Sequence, residues 1–331
     1  MSQLDIVIVN WNAGEQLRDC LGSIASTTPT RHLGNVVVVD NASLDGSADH
    51  LESIPLSITV IRNDSNRGFA AACNQGAAVC SSKYVLFLNP DTILDTGSLT
   101  TPLHFMELEE NADVGICGIQ LVDENEHVSK TCSRVPSTSL LTQTALGLSK
   151  LAPRWFYGMP MVEWSHDETR AVDQVIGAFF FVRRHWYSQL QGFDQRFFVY
   201  FEEVDFCKRL IDHGQRVMYL ASAKAFHRGG GTSEQVKAHR LFYSRRSRIQ
   251  YSHKHFSRLQ ALTVTTATLV CEPLLMVIRG MIHRSPREIS ETLFGFRMLW
   301  ADLANCLRSH PDAVSSVHNV SVSNSTTSKA A

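Results

Sequence analysis

Five short apolar runs, Ile6 to Val9, Val36 to Val39, Ile58 to Ile61, Val85 to Leu88 and Val114 to Ile119, recur through the first 120 residues and constrain the fold more than any other feature. Each is rich in β-branched side chains and bounded by Asn, Asp or Gly, as buried strands are. Helically patterned stretches stand between them, including Gly14 to Ser26, Gly68 to Ala78 and Leu99 to Asn111. Such alternation predicts an α/β, Rossmann-like architecture with a mainly parallel central sheet flanked by helices. Ligands of these sheets bind beyond the carboxyl ends of the strands, where Asn10, Asp40 and Asn89 stand.

After residue 120 the alternation weakens. Cys132 to Glu168, with Pro136, Pro153 and Pro160, reads as an insertion near a substrate site. Order returns with Val175 to Val182, Gly192 to His213 and a final strand near Val217 to Leu220. Past Arg240 the chain is helical, basic and apolar by turns, and a disordered tail is expected from about His310. The expected organisation is a catalytic domain over 1–235, divided near residue 120 into a nucleotide-binding half and an acceptor half, then a helical extension over 236–309 and a tail over 310–331. A chain of 331 residues, 44% hydrophobic, can bury a core of that extent.

The formal charge of -1 conceals an uneven distribution. Residues 1–130 carry 17 acids and 6 bases, whereas residues 131–331 carry 15 acids and 25 bases. Gln235 to Cys271 has no acid but holds Lys237, Arg240, Arg245, Arg246, Arg248, Lys254 and Arg258, a block that expects an anionic partner. The eight cysteines are scattered without metal-finger spacing, which fits a reducing compartment. No export signal is visible at the start, so Asn319 and Asn324, in glycosylation tripeptides, read as chance matches and a cytoplasmic location is expected.

Five constellations carry chemistry. Val9-Asn10-Trp11-Asn12 and Val39-Asp40-Asn41-Ala42-Ser43 place polar groups at two strand tips, where the Asp40 carboxylate can accept from a ribose hydroxyl or a pyrimidine imide; the same residues would serve equally as a turn or helix cap. Asn66-Arg67-Gly68-Phe69, followed by Asn74, allows close backbone approach and aims a helix N-terminus at a phosphate. Asn89-Pro90-Asp91 ends a buried strand at a corner where Asp91 can hold a hard divalent cation. Glu202, Glu203 and Asp205 crowd a helix start whose apolar positions are Val204, Cys207, Leu210 and Ile211. Acids complement a helix dipole, but three together repel unless a cation or substrate uses them, and one can serve as general base. His227 precedes a Gly-rich, base-containing loop suited to phosphate oxygens and can complete a metal shell begun by Asp91.

These motifs, in this order and together with Gly192-Phe193-Asp194, closely resemble the family 2 inverting glycosyltransferases of GT-A fold, in particular their rhamnosyltransferase-like branch, over roughly residues 4–235. The resemblance implies transfer of a sugar, rhamnose in that branch, from a dTDP or UDP donor to a hydroxyl of a glycan or lipid-linked glycan, with Mg or Mn as cofactor. It implies nucleotide contacts from Asn10, Asn12, Asp40, Asn41, Asn66, Arg67, Gly68, Asn74 and Asn89, and metal contacts from Asp91 and His227. Glu203 falls at the catalytic-base position. Asn89 replaces the usual first Asp of the metal motif, leaving ribose or water as its partner. Glu203 replaces the commoner Asp, leaving Glu202 as a rival base, with Asp205 as the third carboxylate of the catalytic group.

Leu259 to Ile282 is apolar enough to suggest membrane, but Glu272 and Arg279 oppose spanning and Pro273 is expected to break the helix. Two readings stay open: the basic block of 237–282 docks on an anionic membrane surface, or these helices cap the domain. No nucleic-acid partner is expected. The rival functions are a sugar nucleotidyltransferase, which would carry a Gly-rich loop where Asn10 to Ala13 stands, and a non-catalytic carbohydrate-binding protein.

Overall fold

The computed structural model describes residues 3–27, 32–229 and 237–308. Strand β1 (Leu4–Asn10) leads through α1 (Glu15–Thr27) to β2 (Leu33–Asp40), then to β3 (Ile58–Arg62), α2 (Phe69–Ala78) and β4 (Tyr84–Leu88). A short β5 (Thr92–Leu94), α3 (Thr100–Glu107) and β6 (Val114–Val122) complete the alternating part. The insertion holds β7 (Cys132–Ser133), α4 (Thr138–Ala145), α5 (Leu148–Leu151), β8 (Arg170–Val172) and β9 (Gln174–Val175). It is followed by β10 (Phe179–Arg183), α6 (Arg184–Gln189), α7 (Glu202–Asp212) and the long β11 (Arg216–His227). Four helices close the described chain: α8 (Lys237–His255), α9 (Arg258–Thr266), α10 (Glu272–Ile282) and α11 (Pro286–Leu307).

The main sheet runs β3-β2-β1-β4-β10-β6-β11-β5, with β8 paired to β11. The pairs β1–β2, β1–β4, β2–β3 and β6–β11 are parallel, as the alternation predicts, whereas β10 enters antiparallel between β4 and β6. Side chains of successive strand residues fall on opposite faces. Ile6, Ile8, Val36, Val38 and Leu86 pack with Leu17, Leu21 and Leu103 on one side. Val7, Val37, Val39, Val85 and Phe87 pack with Cys73, Phe193, Phe206 and Leu210 on the other. Gly76 lets α2 lie directly on β1, since a Cβ there would meet Val7 Cγ1 at 2.4 Å.

The extension departs from the sequence reading in two ways. Pro273 does not break the helix. A π turn over Ala267–Cys271 joins α9 to α10, and the proline stands in the first turn of α10, so Arg258 to Ile282 runs as one 25-residue helical segment. Nor is the basic block free. Arg245 and Arg248 both clasp the buried Glu272, at 2.7 and 2.6 Å, and Arg246 pairs with the buried Asp302 at 2.7 Å. Lys254 reaches Asp194 and Asp205 at 2.6 Å each. These cations hold α8 to α10, α11 and α7, which corrects the expectation that they face an anionic surface. The expected tail lies outside the described residues.

Candidate active site

The tips of β1 and β2 form the first wall. Asp40 is buried, accepts from Asn10 Nδ2 at 2.9 Å, and lies 3.7 Å from Arg62 Nη1. Asn10 Nδ2 also approaches the Ser43 and Ser47 hydroxyls, at 3.0 and 2.8 Å, while its own buried Oδ1 has no partner among the described residues. Arg62 escaped the sequence reading. Its signal was positional, because it is the register partner of Asp40 on the next parallel strand. Asn12 does not point outward: its Oδ1 accepts from the Leu44 N–H at 2.7 Å and its own N–H bonds Ser43, knitting the two loops together.

Asn41 and Asn66 shape the second wall. Asn41 Oδ1 accepts from the Arg67 N–H at 2.9 Å and its Nδ2 donates to Asn66 Oδ1 at 2.8 Å, which in turn accepts from the Gly68 N–H. This clasp exposes the Arg67 side chain and delivers Gly68, at φ 85°, as the residue preceding α2. A Cβ on Gly68 would fall 2.5 Å from Phe198 O, so only glycine lets the 193–201 loop come this close. The Phe69 N–H donates to that same carbonyl at 2.6 Å. Asn74 is a correction to the expected nucleotide contacts. Its Oδ1 accepts from Tyr187 and from the Phe193 N–H, and its Nδ2 donates to Phe193 O, so the amide holds the Gly192-Phe193 turn.

The third wall joins residues far apart in sequence. After Pro90 the chain turns into β5, which pairs antiparallel with the end of β11 in the register Thr92 to His227. That pairing sets Asp91 Oδ1 3.4 Å from His227 Nε2, both side chains largely buried and neither with another side-chain partner among the described residues. The separation is long for a hydrogen bond but near the ~3 Å between neighbouring ligands on one ion at ~2.1 Å. Among the described residues the Asn89 side chain has no hydrogen-bond partner, and the buried Thr92 hydroxyl has none either. The carboxylate suits Mg or Mn, and the imidazole nitrogen beside it is better matched to Mn than to Mg, so these residues fit a divalent cation. Among the described residues no cluster of three acidic, His or Cys side chains forms. The Gly-rich loop following Gly229 lies outside the described residues.

Helix α7 brings the carboxylates. Tyr200 and Phe201 both take positive φ, 68° and 72°, and this sharp turn starts the helix at Glu202. Glu202 is buried and Glu203 partly so, and each has one carboxylate oxygen without a hydrogen bond. Burial, then the neighbouring charges of Glu203 and Asp205, pushes the Glu202 carboxyl well above its usual range. Burial lifts Glu203 to about 7 against its own and Val204's helix-start N–H groups. Asp205 is different, and corrects the picture of three acids in one catalytic group. Burial alone would raise it, but the hydrogen bond from His255 at 2.7 Å and the charges of Arg209 and Lys254 hold it at about 2. It anchors α7 to α8. Lys254 and His255 had no signal in the sequence, because nothing there aligns the end of α8 with the start of α7.

Backbone links connect these segments. The Asn89 N–H donates to Ala178 O at 3.0 Å, the adjoining Gly177 packs on the Phe69 ring, and Phe69 binds the loop that leads into Glu202. Asp91 and His227 touch, whereas Glu203 is tied to them through these two backbone links.

Residues 5–191 match the family model for glycosyl transferase family 2. The N-acetylglucosaminyl-diphospho-decaprenol L-rhamnosyltransferase of Mycobacterium tuberculosis is 25% identical over 307 residues, covering 86% of this chain and 96% of that protein. Rhamnosyltransferase WbbL of Escherichia coli is 27% identical over 146 residues, 44% of this chain and 52% of WbbL. A mannosyltransferase from Pyrobaculum calidifontis, solved with GDP-Man and Mn2+, superposes with a TM-score of 0.54 at 15% identity, over 93% of this chain and 76% of that one. With more than half its length matched, the chain belongs to glycosyl transferase family 2 and is a rhamnosyltransferase-like glycosyltransferase of GT-A fold.

Proposed function

We propose that this enzyme transfers a sugar, rhamnose by likeness to its relatives, from a pyrimidine nucleoside diphosphate donor to a hydroxyl of a lipid-linked glycan, inverting the anomeric centre, as a step in cell-surface polysaccharide synthesis. The observation that carries the reading is the meeting of Asp91 and His227 on the edge that also presents Asp40 and the start of α7. Asp40, oriented by Asn10 and flanked by Arg62, is placed to accept from the base or ribose, and Arg67 is free to meet a phosphate. Asp91 and His227 would hold a divalent cation, which when bound neutralises charge on the departing diphosphate. Glu203 takes the proton of the attacking hydroxyl.

The two glutamates divide by environment. A base works best with a pKa near the working pH, which Glu203 meets at about 7. Glu202, buried beside it, has its carboxyl pushed well above its usual range, which favours the protonated form and makes it the poorer base. The lipid-linked acceptor draws support from the name of the mycobacterial relative and implies work at the cytoplasmic face of a membrane. The test is a thermal-shift screen of dTDP-, UDP- and GDP-sugars with and without Mn2+. Stabilisation by a pyrimidine nucleotide-sugar that needs both the metal and Asp91 is expected; equal stabilisation of wild type and Asp91→Ala would overturn the assignment.

A further inference from the structure

With its inner arginines engaged in ion pairs, the helical extension still shows solvent an unusual surface. On the segment Arg258 to Ile282, whose most apolar 18-residue window has a mean hydropathy of 1.8 and is 39% buried, Leu259 is 78% exposed, Leu274 61% and Ile282 73%. Leu262, Val270 and Ile278 continue the stripe at helical spacing, and Leu293, Phe294 and Trp300 add to it from α11. Exposed apolar groups on this scale are more than the scatter normal on a soluble surface.

Charge identifies the occupant. Over residues 237–308 there are twelve lysines and arginines but four acids. All four acids are consumed internally: Glu272 by Arg245 and Arg248, Asp302 by Arg246, Glu288 by Arg279 and Glu291 by Arg287. Arg258, Arg284 and Arg297, all exposed, border the apolar stripe with no acidic partner among the described residues. An apolar stripe edged by uncompensated cations suits the interface of an anionic bilayer, where apolar side chains enter the acyl boundary and cations meet headgroups. The buried side of the helix argues against spanning. Ala261, Val264 and Thr265 face the protein there, and Val264 packs with Phe201 and Val204, which flank the two glutamates.

We propose that the exposed face of Arg258 to Ile282, with Leu293 and Phe294, seats this protein in the interface of an anionic membrane, its helix lying in the bilayer plane. The site beside Glu203 is then one helix away from the lipid. That last consequence rests on the lipid-linked acceptor; the docking does not.

Flotation of the full chain with vesicles tests it, comparing phosphatidylglycerol-containing vesicles with pure phosphatidylcholine. Wild type is expected to float with the anionic vesicles and resist moderate salt but to be released by alkaline carbonate. A variant carrying Leu259→Gln, Leu262→Gln, Leu274→Gln and Ile278→Gln, its fold checked by circular dichroism and thermal melting, is expected to lose at least roughly tenfold in partitioning. Arg258→Gln, Arg284→Gln and Arg297→Gln together should abolish the preference for anionic lipid. Absence of flotation, undiminished flotation of the glutamine variant, or retention after carbonate each overturns the proposal. So does a concentration-dependent dimer, seen by sedimentation velocity without vesicle binding and lost in the same variant. Neither donor nor acceptor enters the assay, so its failure leaves the catalytic assignment untouched.

Discussion

Replacement of Glu203 by Gln separates catalytic from structural roles because the two effects have opposite sign. The folded protein holds this carboxyl at about 7, against 4.5 for an ordinary glutamate. A raised carboxyl favours the fold in its protonated form. Its contribution is complete below about 4.5 and is lost as pH rises through about 7. At pH 8 the ionised group therefore costs the native state up to ~3 kcal/mol, and ~1–2 kcal/mol is the working figure because Glu203 keeps part of its surface in water. Gln is neutral at every pH and nearly isosteric, so Glu203→Gln should melt roughly 2–8 °C higher than wild type at pH 8, with the gap closing towards pH 5. Its turnover should fall ~100- to 10,000-fold. Wild-type turnover, for its part, should climb with pH and level off above about 7. Calorimetry at both pH values and a donor-release assay supply the readouts. Turnover within tenfold of wild type, or a melting gain identical at pH 5 and pH 8, would refute the reasoning.

Glu202→Gln mimics the neutral acid that burial enforces, so it should keep turnover within roughly tenfold, and a loss matching Glu203→Gln would transfer the base to Glu202. His227→Ala should raise the Mn2+ concentration needed for nucleotide-dependent stabilisation while leaving the metal-free melting temperature within about 1 °C, measured by thermal shift. Gly68→Ala puts a Cβ against Phe198 O at a positive φ, and should cost roughly 1–3 kcal/mol in urea unfolding together with donor affinity. Arg246→Ala strands the buried Asp302 and should cost ~3–5 kcal/mol; vesicle binding measured on it would report unfolding, which is why the docking test uses exposed positions.

What the sequence disclosed, and what it withheld, follows the range of the forces involved. Strand periodicity is local, so β1, β2, β3 and β4 lie where the apolar runs predict, within three residues at either end. The antiparallel entry of β10 is not local. Phe179 to Arg183 is uniformly buried, and nothing in such a run states the direction in which it pairs. The site divides the same way. Asp40 ends β2 and Asp91 lies three residues past β4, positions that strand periodicity alone locates. Asn74 was misread because an amide that clasps a backbone turn and one that clasps a nucleotide look alike in one dimension. Asp205 was misread because its compensating charges, Lys254 and His255, arrive from α8, some fifty residues on. The same arrival accounts for the corrected basic block. A run of arginines with no neighbouring acid looks unpaired along the chain, yet Glu272 and Asp302 return to it through the helical hairpin. Once those pairs close, the charges that remain exposed are the ones bordering Leu259, Leu274 and Ile282. The extension thus does two things with one composition: its inner cations fix α8 to α7, α10 and α11, and its outer ones lie beside an exposed apolar face.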